Sequence, residues 1–418
     1  MLDLVRFGYL GTVLAFTSMQ PVLACDADAR QLHDASSVLS KRSARPDGSR
    51  STAVVPISVE NGQIIVDVTI DGRGPFPMMF DTGGVEAVTP EAAAALGLKV
   101  EGGGAAVGSG EGAIAVAFTR VKEMRLGDAK LFDQTLLVSP LPRFLTDRGA
   151  RPPLAGFVGY ELLTRFVVRL DYEGRAMTLK PTQKFRYRRA GMCVPLGFAD
   201  KIPVIPAAAD GIAGTFEIDT GSSSALVLQR EFVEQHGFED RHPSVLRMKS
   251  SGVDGVFETI ITRLDSFGIA KSEIKRPAAE LPSNGKSGLP VTGVDGSIGY
   301  QILRQFVITF DYSRREIWFE HSPAFGTKTI QWKSGFQAIK ANGSGFRVIT
   351  VLPNTPAAAA GVGVGDLITE VDGVPAESIG QAEFGDLMRR QDGTVVQFSV
   401  VRDGSPRPVA LTLKELLP

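Results

Sequence analysis

Two aspartates stand in the same tripeptide, Asp81-Thr82-Gly83 and Asp219-Thr220-Gly221, in a chain of 418 residues. A single such tripeptide is ordinary turn chemistry. Here each copy follows an apolar strand (Met78-Met79-Phe80; Phe216-Glu217-Ile218). Each also precedes, by 78 and 80 residues, an apolar residue and a glycine (Val158-Gly159; Ile298-Gly299). Two carboxyls held about 3 Å apart cannot both ionise, so they share one proton and supply one acid and one base. A water between them loses a proton to the ionised member while the protonated one donates to a carbonyl, which gives a tetrahedral intermediate without a covalent step. That chemistry needs no metal or cofactor.

The elements that must bring the two aspartates together are legible as an internal repeat. Residues 156–172 (GFVGYELLTRFVVRLDY) and 296–312 (GSIGYQILRQFVITFDY) agree at 8 of 17 positions at an offset of 140, and the two Asp-Thr-Gly triplets lie at an offset of 138. One lobe, duplicated, explains a register held over more than a hundred positions: lobe one spans about 52–182 and lobe two about 192–322. Alternation in Ile64–Ile70 and short apolar runs at Phe166–Leu170 and Phe306–Phe310 predict strands. Helices are expected at Pro90–Leu96 and Arg230–His236, and after the second glycines at Glu161–Thr164 and Gln301–Arg304. Glycine-rich stretches at 102–112 and 250–255 read as hairpin tips, with Gly110 and Gly252 the candidate mobile residues.

These features resemble the aspartic proteases, and the short lobes are most similar to the retropepsin-like branch. The resemblance covers residues from about 52 to 322. It implies a mainly β, bilobed acid-protease fold with Asp81 and Asp219 as the dyad. It also implies that Thr82 and Thr220 interlock beneath the loops, with Gly83 and Gly221 permitting close approach. The family often has serine or alanine after the triplet. Here that position holds Ser222 in lobe two and Gly84 in lobe one, which leaves Asp81 without a neighbouring hydroxyl. Two flaps, as in retropepsin-like dimers, are implied by a glycine-rich hairpin in each lobe.

Other readings of single motifs are weaker. Residues 108–112 are not a G-x-G-x-x-G between strand and helix, and Ser222-Ser223-Ser224 contains no nucleophile elbow. Tyr160 and Tyr300 occupy equivalent positions and suggest shared packing. Asp171 and Asp311 are expected to open turns at strand ends.

Beyond His321 to Lys333, a stretch with Pro323 and Gly326 that reads as a linker, lies a different unit. The order Gly343-Ser344-Gly345-Phe346, Pro353 to Ala357, Gly365-Asp366-Leu367-Ile368 and Asp372-Gly373 resembles a bacterial PDZ domain over about 333–418, an α+β fold. The resemblance implies carboxylate capture by the backbone N–H groups of Ser344, Gly345 and Phe346. The groove helix is expected near Gln381–Arg390, where Phe384, Leu387 and Met388 either line the groove or belong to the core.

Composition excludes several classes. A net charge of −1 lacks the basic footprint of a nucleic-acid binder. Two cysteines and four histidines show no metal-ligand spacing. The first 24 residues read as an export signal and 25–51 as a polar tether. Val22-Leu23-Ala24-Cys25 resembles the lipobox of bacterial lipoproteins, which would lipidate Cys25; the alternative fate of that cysteine is a disulfide with Cys193. No later stretch is long and apolar enough to span a membrane.

The expectation is therefore an exported aspartic endopeptidase of the periplasm or cell envelope, acting on protein or peptide substrates with a PDZ unit that recruits them. An inactive protease-fold scaffold that binds peptides is the alternative.

Overall fold

The computed structural model describes residues 52–107, 113–243, 246–252, 255–282, 292–330, 332–341 and 345–417. The expected leader and tether, Gly110 and Ser344 lie outside the described residues.

The molecule is mainly β, and its two lobes are joined by one sheet. In the joining sheet, the repeat strands Phe166–Asp171 and Phe306–Asp311 lie side by side and antiparallel, Val168 facing Phe310 and Asp171 facing Val307. Their hairpin partners, Ala176–Pro181 and Glu316–His321, flank them, and Ala53–Pro56 and Met192–Pro195 close the two edges. The order is symmetric about its centre, as duplication of one lobe requires. Val168, Leu170, Ile308 and Phe310 are fully buried, so the lobes share a continuous apolar core.

Each lobe then repeats one arrangement. The strand entering the first triplet, Arg73–Phe80, runs parallel to Gly156–Val158, and the strand entering the second, Ile212–Ile218, runs parallel to Gly296–Ile298. Asp81 N–H donates to Val158 O at 2.9 Å and Asp219 N–H to Ile298 O at 3.0 Å, so each triplet hangs from the same point of its sheet. The expected helices form at Pro90–Leu96 and Arg230–His236, each ended by a glycine in the left-handed region, Gly97 and Gly237. The helices after the second glycines form at Tyr160–Arg165 and Tyr300–Leu303. Both glycine-rich hairpins form as well: Glu101–Val107 pairs with Ala113–Leu126, and Leu246–Gly252 with Gly255–Arg263.

The segment read as a linker is packed down. Phe325 stacks on His321 with centroids 3.6 Å apart, Gly326 N–H donates to Gln305 Oε1 at 3.0 Å, and Thr329 is buried, its hydroxyl accepting from Ala278 N–H at 2.8 Å. The C-terminal unit that follows is a five-strand path with one short extra strand, and its core is built on Phe336, Phe346, Phe384 and Phe398. It is docked on both lobes. Asn61 N–H of lobe one donates to Asp386 at 3.0 Å, and Arg263 of lobe two donates to Glu415 at 3.1 Å and to Leu417 O at 3.2 Å. Leu352 and Leu417 pack on Met248 and Ile261 of the lobe-two hairpin.

Phe384 stacks on Phe346 at 4.1 Å and is fully buried. Truncating it to alanine should cost about 3–5 kcal/mol. Hydrogen exchange is expected to show faster opening across 333–413 while the lobes stay protected; equal loosening of both lobes would mean the C-terminal unit is not a separate cooperative core.

Candidate active site

Four hydrogen bonds lock the two triplets together. The Thr82 hydroxyl donates to Ile218 O at 2.5 Å and accepts from Thr220 N–H at 3.0 Å. The Thr220 hydroxyl donates to Phe80 O at 2.9 Å and accepts from Thr82 N–H at 3.0 Å. Both threonines are fully buried. Each hydroxyl thus satisfies one donor and one acceptor of the opposite lobe, which no valine of the same shape could do.

The carboxyls above this lock are close enough for the charge of Asp219 to act on Asp81. Asp81 Oδ1 accepts from Gly83 N–H at 2.9 Å; Asp219 Oδ1 accepts from Gly221 N–H at 2.9 Å and Ser222 N–H at 3.1 Å. A Cβ at Gly221 would stand 2.9 Å from the Asp81 carboxyl, so Asp81 reaches across to the other loop and only glycine leaves it room. The second glycines meet a similar demand: a Cβ at Gly159 would fall 2.1 Å from Asp81 O, and one at Gly299 2.5 Å from Ser224 O.

Burial raises Asp81 to about 7, and the charge of Asp219 pushes the same way against the N–H groups of Gly83 and Gly84. Burial also raises Asp219, opposed by Gly221 and Ser222. The pair therefore keeps a proton well above the usual carboxylate range. The Ser222 hydroxyl does not serve Asp219; it accepts from Ser224 N–H at 3.3 Å, and the serine acts on the carboxyl through its main chain.

Sequence reasoning missed two buried glutamates. Glu86 Oε1 accepts from Gly159 N–H at 3.2 Å and Leu162 N–H at 3.1 Å and so braces the lobe-one turn; burial raises its pKa. Glu217, two residues before Asp219, stands in the strand itself. The visible signal was a lone charge in the apolar run Phe216-Glu217-Ile218, where lobe one has Met78-Met79-Phe80. Tyr160 and Tyr300 pack across the lobes, on Tyr312 at 6.1 Å and on Tyr172 at 5.5 Å. The hydroxyls of Tyr172 and Tyr312 are buried without a hydrogen-bond partner. Asp171 and Asp311 do cap turns, accepting from Gly174 N–H at 2.8 Å and Arg314 N–H at 3.2 Å. Among the described residues no group of three or more side chains is arranged to hold a metal ion. Gly252 ends its strand opposite Gly255, at the root of the lobe-two hairpin tip.

The residues expected to capture a carboxylate are not at an open edge. Gly345 and Phe346 begin a strand, Gly345–Val351, that is paired on both sides: Phe346 faces Lys340 on one neighbour and Ile368 on the other. A Cβ at Gly345 would lie 2.0 Å from Ile368 O, and Phe346 is in the core. Phe384 and Met388 are core too, while Leu387 lies at its margin. Phe336–Ala341 and Ser405–Thr412 are the two end strands of the sheet path, and the loop that leads into the first of these edges is Lys333 to Gly335.

That edge is occupied from within. Gln381, at the start of the Gln381–Leu387 helix, donates from Nε2 to Ala338 O at 3.0 Å and accepts from Lys340 N–H at 2.7 Å. An added strand would use these same two main-chain groups. The short helix Arg143–Thr146 of lobe one packs on both the edge strand and the Gln381 helix, and Asp147 O accepts from Gln381 N–H at 3.4 Å.

A bilobed β fold with two interlocked Asp-Thr-Gly loops on a common axis defines the class of aspartic proteases. Residues 66–162 match the family model for aspartyl protease, and residues 333–413 match that for the PDZ domain. The chain thus carries a retropepsin-like aspartyl protease unit followed by a PDZ domain. A crystal structure of an aspartic proteinase from Irpex lacteus is similar at 11% identity and a TM-score of 0.45, covering 66% of this chain and 99% of that chain. No curated protein matches the chain.

If Gln381 and the lobe-one helix hold the PDZ edge shut, Gln381→Ala should tighten binding of a strand-forming peptide about three- to tenfold, since a competing pair of hydrogen bonds worth roughly 1 kcal/mol is removed. Fluorescence anisotropy measures it; equal affinity for both proteins would show that the edge is not the peptide site.

Proposed function

We propose that this protein is an exported aspartic endopeptidase that hydrolyses peptide bonds with the Asp81/Asp219 dyad and one activated water. The observation that carries the reading is the pair of interacting carboxyls, carried on loops interlocked by threonines and kept partly protonated by burial. The ionised carboxyl removes a proton from the water as it attacks the scissile carbonyl. The protonated one donates to the carbonyl oxygen, and proton return to the amide nitrogen releases the product. The N–H groups aimed at each Oδ1 hold the carboxyls in place, so little reorganisation accompanies the step.

Export is supported by the redox state of Cys193. It is disulfide-bonded. Disulfides persist in oxidising compartments such as the periplasm. The PDZ unit, seated on both lobes with its edge filled, recruits C-termini or strand-like segments by competition with Gln381.

Asp81→Asn and Asp219→Asn should each abolish cleavage of a peptide library, with the double variant no worse than either, because both residues serve one proton cycle. A retained fold with unchanged turnover in either variant would contradict the shared-proton mechanism; no turnover in the wild type would favour the inactive scaffold. The dyad holds its shared proton below its raised pKa, so kcat/KM should fall as pH rises through about 7. A pH–rate profile tests this.

A further inference from the structure

Strand alternation places Glu217 on the same side of its strand as Asp219, while Phe216 and Ile218 point into the core and are fully buried. The row of side chains across that face differs between the lobes. In lobe one, Met79 faces Ile65 and Phe157 and belongs to an apolar cluster. In lobe two the corresponding residue is Glu217, flanked by Val204 and Ser297. The pseudo-twofold symmetry that the threonines keep is broken at this position by a carboxyl.

That carboxyl reaches the catalytic centre. Its Oε1 lies 2.6 Å from where a Cβ at Gly83 would stand, and Asp81 Oδ1 lies 3.5 Å from the same point. Glu217 is only 6% exposed, yet it makes no hydrogen bond to any described residue. Burial, then the charges of Asp219 and Asp81, push its pKa well above the usual range. No lysine or arginine is among the groups acting on Asp81, Asp219 or Glu217. A buried carboxyl without a partner is costly, and a protein that only needed to fill this position has methionine available, as lobe one shows.

We propose that Glu217 is a specificity-determining residue that pairs with a cationic side chain, lysine or arginine, next to the scissile bond of the substrate. This rests on the endopeptidase reading and adds its substrate class. A docked ammonium or guanidinium supplies the missing partner, draws Glu217 into its ionised form and leaves the dyad's shared proton in place. An acidic side chain at the same position meets three carboxyls and is rejected. A neutral aliphatic one of equal length gains no ion pair and leaves Glu217 unpartnered.

The test uses matched fluorogenic peptides that differ only beside the scissile bond, carrying lysine, norleucine or glutamate, with wild type, Glu217→Gln and Glu217→Leu. The wild type should prefer lysine over norleucine by at least about tenfold in kcat/KM. Glu217→Gln should erase that ratio, and Glu217→Leu should reverse it in favour of norleucine. The same peptides are also titrated against Asp81→Asn and Asp81→Asn/Glu217→Gln, reading binding by anisotropy. A lysine preference in binding that vanishes with Glu217, alongside a wild type that cleaves nothing, would keep this inference and overturn the endopeptidase reading. Equal ratios with and without Glu217, in cleavage and in binding, would overturn the inference, even if every rate changed together.

Discussion

Two like charges cannot be brought together in a buried cleft unless something else holds the chain there, and in this protein the holding is done one layer below the carboxyls. The hydroxyls of Thr82 and Thr220 each bond to the main chain of the opposite lobe, so the loops cannot separate without stranding two buried donors and two buried acceptors. The raised pKa values of Asp81 and Asp219 are the electrostatic consequence. The shared sheet, in which Phe166–Asp171 lies against Phe306–Asp311, extends the same twofold relation through the core. Repulsion at the top is opposed by hydrogen bonding beneath it and apolar burial below that.

Against this symmetric frame, the departures are where specificity and control can reside. Glu217 replaces an apolar side chain beside the dyad, and Glu86 braces only the lobe-one turn. The PDZ domain is itself an asymmetric addition. It touches lobe one through Asn61 and the Arg143–Thr146 helix, and lobe two through the hairpin that carries Met248 and Ile261. Whatever fills the PDZ edge therefore acts close to elements of both lobes.

Much of this was legible in the sequence because it rests on local rules repeated twice. The helices at Pro90–Leu96 and Arg230–His236 and the alternating strands follow from periodicity and from a register that recurs. What was not legible depends on strand order or on long-range packing. Ser344, Gly345 and Phe346 belong to a glycine-rich stretch of the expected composition, but only the sheet order shows that Gly345 and Phe346 stand in an interior strand and that Phe336–Ala341 lies at an edge. Pro323 and Gly326 read as linker, yet stacking on His321 and bonding to Gln305 pin that segment. Glu217 stood in plain view within a strand, but its nearness to Gly83 arises across the lobe interface.

The central claim is that Asp81 and Asp219 titrate as one unit. The most direct measurement is an NMR titration of the two carboxyl carbons in protein labelled at aspartate, on the wild type and on Asp219→Asn. The wild-type Asp81 carboxyl should keep its proton until about pH 7 and its midpoint should fall when Asp219 loses its charge, because burial would then act without the like-charge repulsion. Two independent midpoints in the ordinary range near 4, unchanged by the substitution, would contradict it.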